Sequence, residues 1–168
     1  MKDNEMTKFT KIYLDLDGVI ADFEKRFYEL YGMSPKDAEA RKQFGNNFQK
    51  LIDDKHFSTL DLMPDALDLL QYLKHQMVPV EILSSTARES VHNAVSFQKD
   101  VWLQKQGISY PRNFVPGKQH KPKFADENSV LIDDTKSIID AWNKAGGIGI
   151  HHTDALTTIS ILDVLLRA

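Results

Sequence analysis

No cysteine occurs in the 168-residue sequence. That excludes disulfides, thiolate nucleophiles and cysteine-ligated zinc, and it fits a cytoplasmic protein. No apolar run approaches the ~18 residues that cross a bilayer. The polar stretch Met1–Lys11 also lacks the apolar core of a signal peptide. Long basic blocks are missing too. The net charge is −3, whereas a duplex nucleic-acid binder needs basic surface to neutralise phosphates. A single nucleotide as ligand is not excluded by that balance. There are no internal repeats and no low-complexity segment. What is present is ordinary globular composition, 42% hydrophobic and 27% charged, in a chain long enough for one domain with a small insertion.

Strand-like apolar runs fall at 11–16, 79–84, 113–116, 129–132 and 147–151. Helical patterns lie between most of them. Pro64 fits a helix first turn, followed by Ala66, Leu69, Leu70, Leu73 and Met77 at helical spacing. Glu89–Gln106 reads as a long helix with Val91, Val95, Val101, Trp102 and Lys105 roughly on one side and Gly107 as its stop. Ser137–Lys144 and Ala155–Leu166 complete the set. Strands alternating with helices predict a parallel sheet covered on both faces, with ligands at the carboxyl ends of its strands.

Residues 19–63 break the alternation, because they contain no strand pattern. Phe23, Phe27 and Leu30 form a helical stripe stopped by Gly32. Ser34-Pro35 reads as an N-cap with proline at the first helical position. Phe44, Phe48, Leu51 and Ile52 predict a third helix, with Asn46 or Asn47 as cap. This segment is expected to be a small helical lid over the strand ends.

The chemistry-bearing residues gather at those ends. Asp15-Leu16-Asp17-Gly18 follows the first apolar run, and side chains at i and i+2 of a strand share a face. Paired carboxylates repel unless a cation or a shared proton compensates, which points to Mg²⁺ and phosphoryl chemistry. An EF-hand loop does not fit, since Val19, Ile20 and Arg26 occupy its required positions. Ser84-Ser85-Thr86 ends the second run and offers hydroxyls to phosphate oxygens, or simply caps the next helix. Asp133-Asp134 ends Val130-Leu131-Ile132, where adjacent acids after a buried strand favour metal binding over capping. Lys118, Lys121 and Lys123 compete to supply one phosphate-neutralising cation. The six histidines lack metal-ligand spacing and read as surface or packing residues. Gly146-Gly147-Ile148-Gly149 lies between a helix and a strand, the wrong order for a dinucleotide loop.

These residues, in this order, resemble the haloacid dehalogenase superfamily of aspartate-nucleophile phosphatases. Asp15 through Phe23 is most similar to the 5′(3′)-deoxyribonucleotidases, as are the Lys99–Leu103 segment and the Leu-Ile-Asp-Asp ending. The resemblance implies an α/β fold: a Rossmann-like parallel sheet flanked by helices, with a small helical cap inserted after strand one. The core would be 1–18 and 64–168, and the cap 19–63. It implies Asp15 as nucleophile and Asp17 as acid and base. Mg²⁺ would be held by Asp15, the Asp17 carbonyl, and Asp133 or Asp134. Ser84, with Ser85 beside it, is favoured over Thr86 as the phosphate-binding hydroxyl. Lys123, ten residues before Asp133, is favoured over Lys121. Phe23 stands where relatives stack a base. The expected partner is a small phosphate ester, a nucleoside monophosphate, with no membrane and no duplex nucleic acid; a homodimer stays open. The alternatives are a 3′-phosphatase on nucleic-acid ends, a sugar phosphatase, and a catalytically silent binding protein.

Overall fold

The computed structural model describes residues 7–167; the first six residues of the polar N-terminal stretch and Ala168 lie outside the described residues. Five strands form one parallel sheet: β1 (Lys11–Leu14), β2 (Val80–Ser85), β3 (Arg112–Val115), β4 (Ser129–Asp133) and β5 (Ile148–His151). Their order is β3-β2-β1-β4-β5. Ile12 pairs with Val80 on one side and Val130 on the other, so β1 is central. The order reverses between β1 and β4, which is where open α/β sheets form their ligand crevice.

Strand alternation divides the side chains between two apolar layers. Ile12, Leu14, Ile82, Val130 and Ile132 enter the larger one. Leu83, Val115 and Leu131 meet Trp142 on the opposite face. Helices α4 (Ala66–Lys74), α5 (His92–Lys105) and α7 (Ala155–Arg167) bury residues in the larger layer, and α6 (Lys136–Lys144) in the smaller one. Both tryptophans are core residues, Trp102 on α5 and Trp142 on α6. Among the described residues, no helix is long and apolar enough to cross a membrane.

Between β1 and α4 the chain forms α1 (Phe23–Tyr31), α2 (Pro35–Ala40) and α3 (Phe44–Asp53). Its two connections are tied together. Asp22 N donates to Asp61 O and Met63 N to Ile20 O, each at 2.8 Å. Asp22 caps α1 and Ser34 caps α2 through their side chains. The insertion shares the larger apolar layer, through Phe27, Phe48, Leu51 and Phe57.

Several boundaries differ from the sequence reading. Helix α3 starts at Phe44, so Asn46 and Asn47 lie inside its first turn. The reversal is made instead by Lys42, in the left-handed region at φ 58°. Helix α4 starts at Ala66 after Asp65, two residues beyond Pro64. Leu30 is exposed, and Tyr31 packs against the Phe27 ring in its place. Glu89–Val91 is a 3₁₀ turn, with α5 proper beginning at His92. The buried face of α5 is Val95, Gln98, Lys99, Trp102 and Leu103 rather than an all-apolar stripe.

Two of those residues hold the insertion. Gln98 Nε2 donates to Ile52 O at 2.9 Å, and its Oε1 accepts from Phe57 N at 3.3 Å. Trp102 Nε1 donates to Leu60 O at 2.7 Å. Trp102→Phe leaves the buried Leu60 carbonyl without its donor and replaces the indole by a smaller ring. It is expected to cost about 1–3 kcal/mol in urea unfolding; an unchanged midpoint would show that this bond contributes nothing.

Candidate active site

The loop after β1 brings two acids to the crevice. The strand ends at Leu14, so Asp15 and Asp17 lie beyond it rather than on one strand face. Asp15 N still donates to Ile132 O on β4 at 3.0 Å, and Ile20 N and Ala21 N then fold back onto Leu16 O, each at 2.9 Å. Gly18 makes this turn possible. Its φ is +83°, and a Cβ there would stand 1.9 Å from Asp134 Oδ2. A side chain at position 18 would therefore be strained and would also collide with a carboxylate.

Asp133 ends β4, and Asp134 follows it. Carboxylate oxygens of Asp15, Asp133 and Asp134 lie within 4.8 Å of one another. Asp133 is almost fully committed: Oδ2 accepts from Lys121 and Oδ1 from Thr135 N at 2.9 Å. Among the described residues, Asp134 accepts only the Thr135 hydroxyl, at 3.3 Å. The Asp17 carboxylate stands outside this group of three and accepts from Lys99 Nζ at 3.1 Å.

Crowded acids in a buried site resist ionisation. Burial, then the Asp133 carboxylate, push the Asp15 carboxyl well above its usual range, against the pull of Lys121. Burial, then Asp133 and Asp17, raise Asp134 to about 6, opposed by Lys121 and Thr135. Burial works against the charged form of Lys121, but Asp15 and Asp133 outweigh it and hold its ammonium above the ordinary lysine range. Its Nζ donates to Asp15 Oδ1 at 3.0 Å and Asp133 Oδ2 at 2.7 Å, with 3% of the side chain exposed.

Lys121, not Lys123, is thus the lysine that enters the site. Lys118–Phe124 is a 3₁₀ helix, in which residues three apart eclipse one another. Lys118 and Lys121 line the cavity, and Phe124 continues their side to pack on Tyr13. Lys123 is out of phase and meets His120 Nδ1 at the exposed surface, 2.9 Å away.

Ser84 is fully buried and lines the cavity, with Ser85 beside it. Thr86 turns away: its hydroxyl donates to Val115 O at 3.2 Å and meets His92 Nδ1 at 2.7 Å. Lys99 is the residue that sequence reasoning left out of the site. It reaches in from α5 and donates to Asp17, Ser84 and Ser85. The visible signal was a lysine one residue from Gln98, at helical spacing from Val95 and Trp102.

The cavity above these groups holds about 530 Å³, the size range of small-molecule sites. Phe23, Phe44, Phe48 and Phe57 form its apolar wall. Phe23 is half-buried and stacks on Phe57 with ring centres 5.6 Å apart and planes at 10°. It therefore packs within the insertion while also facing the cavity. Glu24 and Glu39 stand along the lining, against Lys118.

No protein-family model and no curated protein matches this sequence. Solved structures do. A hydrolase from Streptococcus pneumoniae TIGR4 is similar over 93% of this chain and 99% of its own, at 16% identity and TM-score 0.55. A phosphonoacetaldehyde hydrolase-like protein from Oleispira antarctica is similar over 99% and 86%, at 13% identity and TM-score 0.53. A HAD-family hydrolase from Deinococcus radiodurans R1 with bound phosphate and sodium is similar over 93% and 89%, at 16% identity and TM-score 0.51. The chain has the haloacid dehalogenase fold. At these identities the likeness concerns the fold, and this chain's own residues must carry the chemistry.

In this HAD-fold chain, the three clustered acids offer only oxygen donors, which suit a hard cation such as Mg²⁺. Without one, folded Asp134 keeps a proton that the unfolded chain has already lost between the ordinary carboxylate range and about pH 6, so this group lowers stability as pH rises through that window. Mg²⁺ is expected to raise Tm more at about pH 7.5 than at about pH 5, where it must displace protons. Asp134→Asn should raise the Mg²⁺-free Tm at the higher pH and remove most of the Mg²⁺ shift. Equal shifts at both pH values, or no gain from Asp134→Asn, would contradict this electrostatic picture.

Proposed function

We propose that this chain is a Mg²⁺-dependent phosphomonoesterase that works through an aspartyl-phosphate, with nucleoside monophosphates as substrates. One observation carries the reading. Asp15 and Asp17 stand on the floor of a single cavity with Ser84 and two buried lysines, under an aromatic wall. The similarity of Asp15–Phe23 to the 5′(3′)-deoxyribonucleotidases supports the finer assignment. Residues 19–63 act as the cap, and 1–18 with 64–168 as the core.

The acids of the cluster fit a divalent cation. The raised proton affinities of Asp15 and Asp134 mark a site short of positive charge, and Gly18 leaves the space that Asp134 fills. Asp15 and the less committed Asp134 would hold it, with Asp133 beside them. Bound Mg²⁺ supplies charge neutralisation for phosphoryl oxygens.

Asp15 attacks phosphorus as a carboxylate, and Lys121 at 3.0 Å favours its charged form. As the new P–O bond forms, the ester P–O bond breaks, and the leaving oxygen takes a proton from Asp17. Asp17 then accepts a proton from the water that attacks the acyl phosphate. That step releases inorganic phosphate and restores Asp15. The Ser84 hydroxyl and the neighbouring backbone orient the phosphoryl oxygens.

A panel of nucleoside 3′- and 5′-monophosphates, sugar phosphates, an oligonucleotide 3′-phosphate and p-nitrophenyl phosphate tests this. Nucleoside monophosphates should be preferred, and Asp15→Asn should lower kcat at least about 10⁴-fold, as for loss of a nucleophile. Full activity in Asp15→Asn would overturn the mechanism. Preference for sugar phosphates or oligonucleotide ends would overturn the substrate. Mg²⁺ binding with no phosphate release would instead support a silent binding protein. Phe23→Ala should lose more activity on nucleotides than on p-nitrophenyl phosphate; equal losses would remove its stacking role.

A further inference from the structure

Lys99 occupies a position that the cation requirement alone does not explain. Lys121 already lies between Asp15 and Asp133. Lys99 sits on the opposite side, on α5, with only 4% of its side chain exposed. Its Nζ donates to Ser84 Oγ at 2.7 Å, Ser85 O at 2.9 Å and Asp17 Oδ2 at 3.1 Å. A lysine ammonium has three N–H groups and no lone pair. All three are spent on the protein, so none is free for a substrate oxygen unless one of these bonds breaks.

The consequence falls on Ser84. A hydroxyl has one proton and two lone pairs. Because Lys99 can only donate, Ser84 Oγ is the acceptor in their bond, and its own proton is released for another partner. Among the described residues no protein group accepts it, and Ser84 lines the cavity. The proton is left to a ligand oxygen. Asp17 is held by the same ammonium, so the phosphate-binding hydroxyl and the acid/base carboxylate share one anchor.

That anchor is itself fixed. Gln98, the preceding residue, bonds Ile52 O and Phe57 N of the insertion. Trp102, one turn on, bonds Leu60 O. The Lys99 ammonium stands 5.6 Å from the centre of the Phe57 ring. Helix α5 is therefore tied to the insertion by the residues around Lys99, which leaves its Nζ little freedom to swing.

We propose that Lys99 is a positioning residue: it aims Asp17 at the leaving-group oxygen and orients Ser84 as a donor to the transferred phosphate. The inference rests on the phosphomonoesterase reading for its Asp17 part. Its Ser84 part depends only on oxyanion binding.

Two measurements separate these parts. In single-turnover kinetics with Mg²⁺, which read the phosphorylation step before Asp17 acts on water, Lys99→Met is expected to lower the rate of alcohol release about 100-fold on a nucleoside monophosphate, whose alkoxide leaving group needs a proton. On p-nitrophenyl phosphate, whose leaving group needs little protonation, the loss should be at most about 10-fold. Equal losses on both esters, or losses confined to the half-saturating concentration, would mean that Lys99 merely binds phosphate or supports the fold, and would overturn the Asp17 role. In calorimetry with inorganic phosphate and Mg²⁺, Lys99→Met and Ser84→Ala should each weaken binding about 10-fold. The double variant should be no weaker than either single one, because Lys99 acts on the phosphate only through the Ser84 hydroxyl. Unchanged affinity in Lys99→Met, or additive losses, would overturn the Ser84 role. Lys99→Leu, which likewise has no N–H to donate, should follow Lys99→Met in both assays if the methionine variant folds poorly. If wild type hydrolyses neither ester yet binds phosphate, the phosphomonoesterase reading fails and the Asp17 role with it, while the calorimetry still decides the Ser84 role.

Discussion

Four carboxylates meet at one end of the sheet, and their mutual repulsion governs what surrounds them. Asp15 and Asp17 arrive from the loop after β1, Asp133 and Asp134 from the end of β4. In a buried, low-dielectric site such charges cannot all ionise alone. Lys121 answers Asp15 and Asp133, and Lys99 answers Asp17, leaving Asp134 with only a hydroxyl partner among the described residues. Removing one member of a buried ion pair typically costs about 3–5 kcal/mol, because its partner is left uncompensated. The two lysines are therefore structural requirements as much as chemical ones, and the remaining deficit of positive charge is what a divalent cation would satisfy.

The fold serves that constraint at three places. The change of strand order between β1 and β4 opens the crevice and sets Asp15 beside Asp133. The 3₁₀ turn before β4 brings Lys121 beneath the acids. Helix α5 delivers Lys99 from the other side while Gln98 and Trp102 bind the inserted helices. A displacement of the insertion would thus pull on the helix that holds Asp17 and Ser84. The aromatic wall and the charged floor share one mechanical connection, which under the proposed function would link recognition of the substrate's body to placement of its phosphate.

Much of this was legible from the chain. All five strands appear as apolar runs, and the acids and Ser84 stand at or just beyond the ends of three of them, because parallel strands expose their polar groups only at their ends. The helical insertion shows itself by the lack of any strand pattern. What escaped depends on local backbone that leaves little compositional trace. The choice between Lys121 and Lys123 turns on the phase of a 3₁₀ helix containing Pro122, and counting back from Asp133 does not give that phase. The start of α3 depends on a left-handed Lys42 and a Gln43 that makes no side-chain cap. Lys99 was hidden because a lysine in a helix reads as solvent-facing. Only its place among Val95, Gln98 and Trp102 marks it as buried.

The central claim is that Asp15 forms the covalent bond to phosphorus. Rapid acid quenching during turnover of a ³²P-labelled phosphate monoester, followed by digestion and peptide mapping, tests it most directly. The expected result is a base-labile label on the peptide containing Asp15, absent from Asp15→Asn. Turnover with no labelled protein at any quench time, or a label on another residue, would contradict it.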